Sequence, residues 1–251
     1  MSQDDLVNSN VLNEKDTAFK RHFDIQLEKL RSKLIRMCTL VDEQLQFALR
    51  TIDEQNTEWV KLIVERDAIV DKYDVKIEKY CQRMVALNQP VAMDLRQIMS
   101  ALNINSNLER IGDIAVSIVE NYSLLEDSRN IYQQTKLSEM IGIAKVMLKH
   151  SIDSYITGEP KLAEKVILSD KNLDRLNKEN HKILINIMKQ SPDNIEAGVV
   201  FLVISRLIER CGDHATNIAE GVIFIHEATV IRHNYESLFF NDEQEKEMEE
   251  E

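Results

Sequence analysis

The sequence predicts an all-α protein of two pseudo-repeated antiparallel three-helix bundles, six long helices in all. Three observations carry this expectation. Apolar residues recur at helical spacing over long stretches, turn residues are scarce, and the pattern returns about 103 residues further on. Gly and Pro number six and three in 251 residues, and aromatic residues make up 6%. That leaves little turn material for a multi-stranded sheet.

Residues 1–18 are polar and aperiodic and read as a flexible leader. From Phe19, the apolar row Leu27, Leu30, Leu34, Met37, Leu40, Val41, Leu45, Leu49 and Ile52 describes a first helix, and Asp53 to Thr57 breaks it. A second helix runs from about Glu58 to Leu87, and Asn88-Gln89-Pro90 ends it. Proline suits the first turn of a helix, where its missing N–H costs nothing. A third helix is therefore expected from Pro90 to about Leu125, closing a first repeat over 19–127. Met140, Ile143, Leu148 and Ile152 then fall on Met37, Leu40, Leu45 and Leu49. Gly158-Glu159-Pro160 falls on the first break and Ser191-Pro192 close to Gln89-Pro90, which sets a second repeat over 131–232. All three prolines mark helix starts, and the short connections imply antiparallel neighbours. Residues 233–251 form an acidic tail, expected to be disordered; its last ten residues hold seven acids against Lys246, about half of the net charge of −12.

This charge argues against nucleic acid and anionic lipid as general partners, since both repel it. Cys38, Cys81 and Cys211 are odd in number and widely spaced, so they suggest neither a disulfide framework nor a thiolate zinc site. The amino terminus lacks a signal-peptide profile, and no apolar run approaches the roughly 18 residues that span a bilayer. A cytoplasmic protein is expected. Gly-rich phosphate loops, His-Glu-x-x-His, Gly-x-Ser-x-Gly and the di-iron Glu-x-x-His are all absent, and no nucleophile–base pair emerges, so no catalytic residue is assigned.

The unusual feature is a set of carboxylates in otherwise apolar rows. Asp67, Asp71, Asp74 and Glu78 keep i, i+4, i+7, i+11 spacing and share a stripe with Val60, Val64, Cys81 and Val85. Asp170, Asp174, Asn177 and His181 repeat it among Ala163, Ile167 and Leu184. On the third helices, Glu109, Asp113 and Glu120 match Glu209, Asp213 and Glu220, with Asn217 at the edge. Partly buried and unpaired, each carboxylate costs several kcal/mol unless it is protonated or meets a cation. Two helices presenting such pairs offer oxygen ligands to a divalent or trivalent metal, and His214 and His181 are candidate nitrogen ligands. The same spacing also suits solvated faces, or salt bridges through Arg110 and Arg210. Gly112 and Gly212, costly within helices, read as points of close helix approach beside the acids.

Gln89-Pro90-Val91-Ala92-Met93-Asp94-Leu95-Arg96, Glu109-Arg110-Ile111-Gly112-Asp113 and the run from Glu209 to Glu220 resemble the signatures of the PhoU family, accessory proteins of phosphate-specific transport. The resemblance covers about residues 19–232. It implies a PhoU-like fold of two three-helix bundles and metal capacity for iron, zinc, manganese or magnesium. The ligands it implies are Asp67, Asp71, Glu109 and Asp113 in one half. In the other they are Asp170, Asp174, Glu209 and Asp213, joined by His214, Asn217 and Glu220. Ile114 and Ser117 stand where the second half has His214 and Asn217, so a first-half site is expected to be oxygen-only or weaker.

The resemblance also implies a non-catalytic negative regulator that links the ATPase subunit of the phosphate ABC transporter to a phosphate-sensing histidine kinase. It implies a homodimer that meets the membrane only through partners. Two other readings stand beside it: a carboxylate-bridged metalloenzyme, and an accessory protein of a low-affinity phosphate permease.

Overall fold

The computed structural model describes residues 3–54, 56–125 and 128–228, with side chains from His22 onward. Among the described residues seven α-helices succeed one another: α1 (Gln3–Asp53), α2 (Val60–Asn88), α3 (Ala92–Tyr122), α4 (Arg129–Gln134), α5 (Leu137–Thr157), α6 (Pro160–Gln190) and α7 (Ile195–Glu227). A 3-10 turn, Pro192–Asn194, joins α6 to α7. The all-α class and the two repeated bundles, α1–α3 and α5–α7, agree with expectation. Among the described residues, no helix is long and apolar enough to cross a membrane.

The fold departs from expectation at several points. The stretch 1–18, expected as a flexible leader, is helical from Gln3 and continues directly into α1. It contains no Gly or Pro to stop a helix. Pro90 precedes Val91, the residue that caps α3, whereas Pro160 is the first residue of α6 and Pro192 opens the 3-10 turn. A seventh helix, α4, appears because the chain becomes extended at Thr135. There the Lys136 N–H donates to Asn180 Oδ1 at 2.9 Å, and this bond starts α5 afresh. The acidic tail, 233–251, lies outside the described residues.

Leu34, Met37, Val41, Leu45, Leu49 and Ile52 of α1 are buried against α2 and α3, and Leu137, Met140, Met147 and Leu148 of α5 play the same part against α6 and α7. The halves then join along α3 and α7, and more lightly along α1 and α5. Ile104 faces Gly221, while Asn107 meets His214 and Asn217, so α3 and α7 run antiparallel along this seam. Cys38, Cys81 and Cys211 are free and buried; burial pushes the thiols of Cys38 and Cys81 up to about 12 and raises Cys211 as well.

Each half closes through a glycine. A methyl group at Gly112 would stand 3.3 Å from Asp67 Oδ1 and 3.4 Å from Val70 Cγ1. At Gly212 it would collide with Leu173 Cδ2 and stand 3.6 Å from Asp170 Oδ1. Both positions therefore bring α3 or α7 close to the acid-bearing helix, as their placement suggests. Gly212→Ala should destabilise the protein by about 1–3 kcal/mol through overpacking, although alanine is the better helix former. With Leu173→Ala the clash is gone, and the same change should stabilise by up to about 1 kcal/mol relative to Leu173→Ala alone. A double-mutant cycle in urea would measure both effects.

Candidate metal centre

On α6, Asp170 and Asp174 lie one turn apart, and Glu209 and Asp213 do so on α7. Close packing of the two helices turns these pairs toward each other. Asp174, Glu209 and Asp213 each place a carboxylate oxygen within 4.8 Å of the other two. Asp170 adjoins them, and its carboxyl is pushed up to about 6, first by burial and then by the charges of Asp213 and Asp174. Glu209 and Asp213 are raised for the same reasons, burial foremost. Arg210 opposes the shift at Asp213, yet among the described residues no ion pair joins it to Glu209 or Asp213. Thr216, 5% exposed, sets its hydroxyl beside Asp170 and favours the charged form of that carboxyl.

The first half is built on the same plan but gives its acids different partners, and burial raises Asp67, Asp74 and Glu109 there too. Gln44 of α1 is fully buried, and its amide donates to Asp67 Oδ1 at 3.0 Å and to the Gly112 carbonyl at 3.3 Å. Met147 of α5 holds the equivalent place, its Cε 3.4 Å from where a methyl at Gly212 would stand, and offers no donor. Arg110 reaches Glu109 Oε2 at 3.4 Å and Asp113 Oδ2 at 3.1 Å. Asn105 donates to Asp74 Oδ1 at 2.6 Å, where the second half has a Ser205–Asn177 bond of 2.8 Å. Among the described residues, no first-half trio converges as Asp174, Glu209 and Asp213 do.

The expected ligands thus divide. In α2 the core stripe is Ile63, Val70, Ile77, Cys81 and Met84. At 100° per residue the acid row is turned roughly 70° from that stripe. It therefore lies at the rim of the bundle: Asp67 and Asp74 are half-buried, while Asp71, Glu78, Val64 and Val85 are exposed. Glu120 is exposed but its counterpart Glu220 is buried and acts electrostatically on Asp170.

His214 and Asn217 stand on the seam instead. The Asn107 amide nitrogen donates to Asn103, so its oxygen accepts from Asn217 Nδ2 at 3.2 Å and from His214 Nδ1 at 2.9 Å. Burial and the nearby Arg210 and Arg110 lower the His214 pKa and favour its neutral ring. Sequence reading missed Gln44, Asn107 and Thr216. Gln44 left a signal, a lone amide in the apolar row of α1 between Val41 and Leu45.

Three converging carboxylates, with Asp170 and the buried Thr216 hydroxyl beside them, make an all-oxygen donor set. Such a set can coordinate a metal, and it suits hard cations such as magnesium, manganese(II) or iron(III) better than zinc, which favours nitrogen and sulfur.

The model of the family described as "PhoU domain" matches this chain twice, over residues 34–122 and 137–222. The chain belongs to the PhoU family. It is 34% identical over 210 residues to the "Phosphate-specific transport system accessory protein PhoU homolog" of Aquifex aeolicus (strain VF5), covering 84% of this chain and 95% of that one. With the protein of the same description from Borreliella burgdorferi it shares 35% identity over 216 residues, covering 82% and 95%. The crystal structure of PhoU from Pseudomonas aeruginosa superposes with a TM-score of 0.79 at 30% identity, covering 82% of this chain and all of that one. The phosphate transport system regulatory protein PhoU from Streptococcus pneumoniae gives 0.75 at 26% identity, covering 83% and 98%. Membership of the PhoU family assigns the chain a regulatory, non-catalytic role in phosphate homeostasis.

The raised carboxyl of Asp170 sets a pH dependence. Its folded pKa lies near 6 against an ordinary 3.8. Its contribution to stability is therefore full below about pH 4 and is lost as pH rises through 6. In metal-free protein, Asp170→Asn should flatten the fall in Tm across that window, measured by thermal unfolding at fixed ionic strength.

Proposed function

We propose that this protein is a non-catalytic adaptor that restrains phosphate uptake and keeps the phosphate-starvation regulon off when phosphate is plentiful. It does so by linking the ATPase subunit of the phosphate ABC transporter to a phosphate-sensing histidine kinase. The observation that carries this reading is the extent of the likeness. Both repeats match, and the chain spans 95% of relatives described as accessory proteins of phosphate-specific transport. Contact with the bilayer runs through those partners. The active form is a homodimer.

The carboxylates of α6 and α7 serve this role as a structural ion site rather than a reaction centre. Asp174, Glu209 and Asp213 hold a hard divalent or trivalent cation, Asp170 adds a further oxygen, and the bound charge adds to the partial compensation that Arg206 and Arg210 give Glu209 and Asp213. The ion ties α6 to α7 and so fixes the surface that the second half offers to a partner.

Deleting the gene should derepress alkaline phosphatase severalfold in phosphate-rich medium, and the wild-type gene should restore repression. The tagged protein should co-purify with the transporter ATPase and the kinase, more strongly at high phosphate than at low. Unchanged repression together with absent co-purification would refute the adaptor role.

A further inference from the structure

We propose that the exposed α1–α2 face is a docking surface for the chain's own acidic carboxyl-terminal segment, residues 238–251. The inference does not depend on the α6–α7 ion site.

This face gathers cations. Lys29, Lys33 and Arg36 on α1 keep i, i+4, i+7 spacing, and Lys72, Lys76, Lys79 and Arg83 on α2 keep i, i+4, i+7, i+11 spacing. The α2 row lies roughly 140° round the helix from Asp67, Asp71, Asp74 and Glu78. Both rows flank one seam. Lys33 Nζ stands 5.7 Å from the centre of the Tyr80 ring, and the Tyr80 hydroxyl donates to the Gln26 carbonyl at 3.3 Å. All of these cations but Lys33 are exposed, and among the described residues none closes an ion pair with a carboxylate. Lys76 instead lies over the Tyr73 ring at 5.5 Å. Asp24 and Glu28 border the face at one end without pairing with Lys29, and Glu43, further along α1, is tied to Arg66 at 2.8 Å.

Such a face repels itself and attracts a polyanion. The protein's net charge of −12 works against a separate polyanion at long range, but a tethered one is held close. The last ten residues supply it, with seven acids against Lys246, and Leu238, Phe239 and Phe240 precede them. The order of these groups fits the seam. At one end Asn88 Nδ2 donates to Gln26 Oε1 at 2.8 Å, and beside that bond Ile25 and Leu87 are 47% and 62% exposed, an apolar seat for the aromatic run. The end of α7 lies near the same place, where Ile225 and His226 share a cleft with Leu27, Leu30 and Arg31 of α1. From Ala228, residues 229–237 span at most about 30 Å, enough to round a helix about 10–12 Å across. The acids then lie along the row from Arg83 to Lys72, about 17 Å long. A tether of this kind gives an effective concentration on the order of millimolar. The docked segment covers the face, so an acidic segment of another protein gains it only by displacing the tail.

The test is zero-length carbodiimide cross-linking of the full chain, which joins a carboxylate to an amine in contact, read by peptide mapping. Mixing unlabelled and 15N-labelled protein separates links within a chain from links between chains. The acids of 242–251 should link within the chain to Lys29, Lys33, Lys72, Lys76 and Lys79, and these links should fall at least about fivefold between about 50 and 500 mM NaCl. Arg36→Glu with Arg83→Glu leaves every lysine in place and should lower the same links at least about fivefold at low salt, with circular dichroism confirming the fold.

Tail links made as often to Lys171, Lys178 and Lys182 would overturn the assignment of the face. Links found only between chains would overturn docking within the chain and make the face a contact between copies. Links indifferent to the arginine reversals, or no tail links at all, would refute the proposal outright.

Discussion

Close approach of the third helix to the second is the constraint on which the rest of the molecule depends. At Gly112 and Gly212 the missing side chain lets α3 and α7 press against the faces of α2 and α6 that carry acids. A helix that packs so tightly draws the carboxylates nearest to it, Asp67 and Asp170, partly out of water. They are left at the rim of the bundle among other acids, and burial raises them together with Glu109, Glu209 and Asp213, Asp170 to about 6. Helix propensity would favour alanine at both glycines by roughly 1 kcal/mol. The architecture forgoes that gain in order to assemble an anionic basin.

The fate of each basin depends on the counter-groups within reach. Two basins of the same plan diverge because α1 and α5 contribute different side chains at one corresponding position, Gln44 or Met147. Arg110 and Arg210 have the same sequence setting, yet Arg110 bridges Glu109 and Asp113 and Arg210 does not bridge their counterparts. Similar backbones can thus give matching carboxylates different partners. Identity of the carboxylates alone does not decide which is which.

Much of this architecture was legible in the sequence, and the parts that were not share a physical cause. Helix lengths, the breaks at Asp53–Thr57 and Gly158–Pro160, and the repeat are all one-dimensional periodicities, and they survive in the order of residues. Rotation of a helix about its axis is less visible. The α2 acids share an arc with Cys81, but the true core stripe is centred on Ile63, Val70 and Ile77, and this sets Asp71 in solvent. The seam between the halves was missed altogether, and with it the pairing of His214 and Asn217 to Asn107. A clue existed: α7 buries residues around most of its circumference, including Gly198, Phe201, Cys211, Ile218, Glu220 and Gly221, more than one neighbour can cover. Breadth of the apolar arc counts partners, and that reading needs no coordinates.

The antiparallel seam has a consequence for how such a chain can change. Neither half is a free-standing bead, because α3 and α7 each cover the other's oily flank. A gene cut down to a single repeat would encode a product obliged to find its twin, and it would do so about a two-fold axis resembling the one that relates the halves here. Fusion into one polypeptide removes that search and frees the two lobes from being identical. One lobe can then abandon a shared chemistry while the other retains it, an option closed to a symmetric pair.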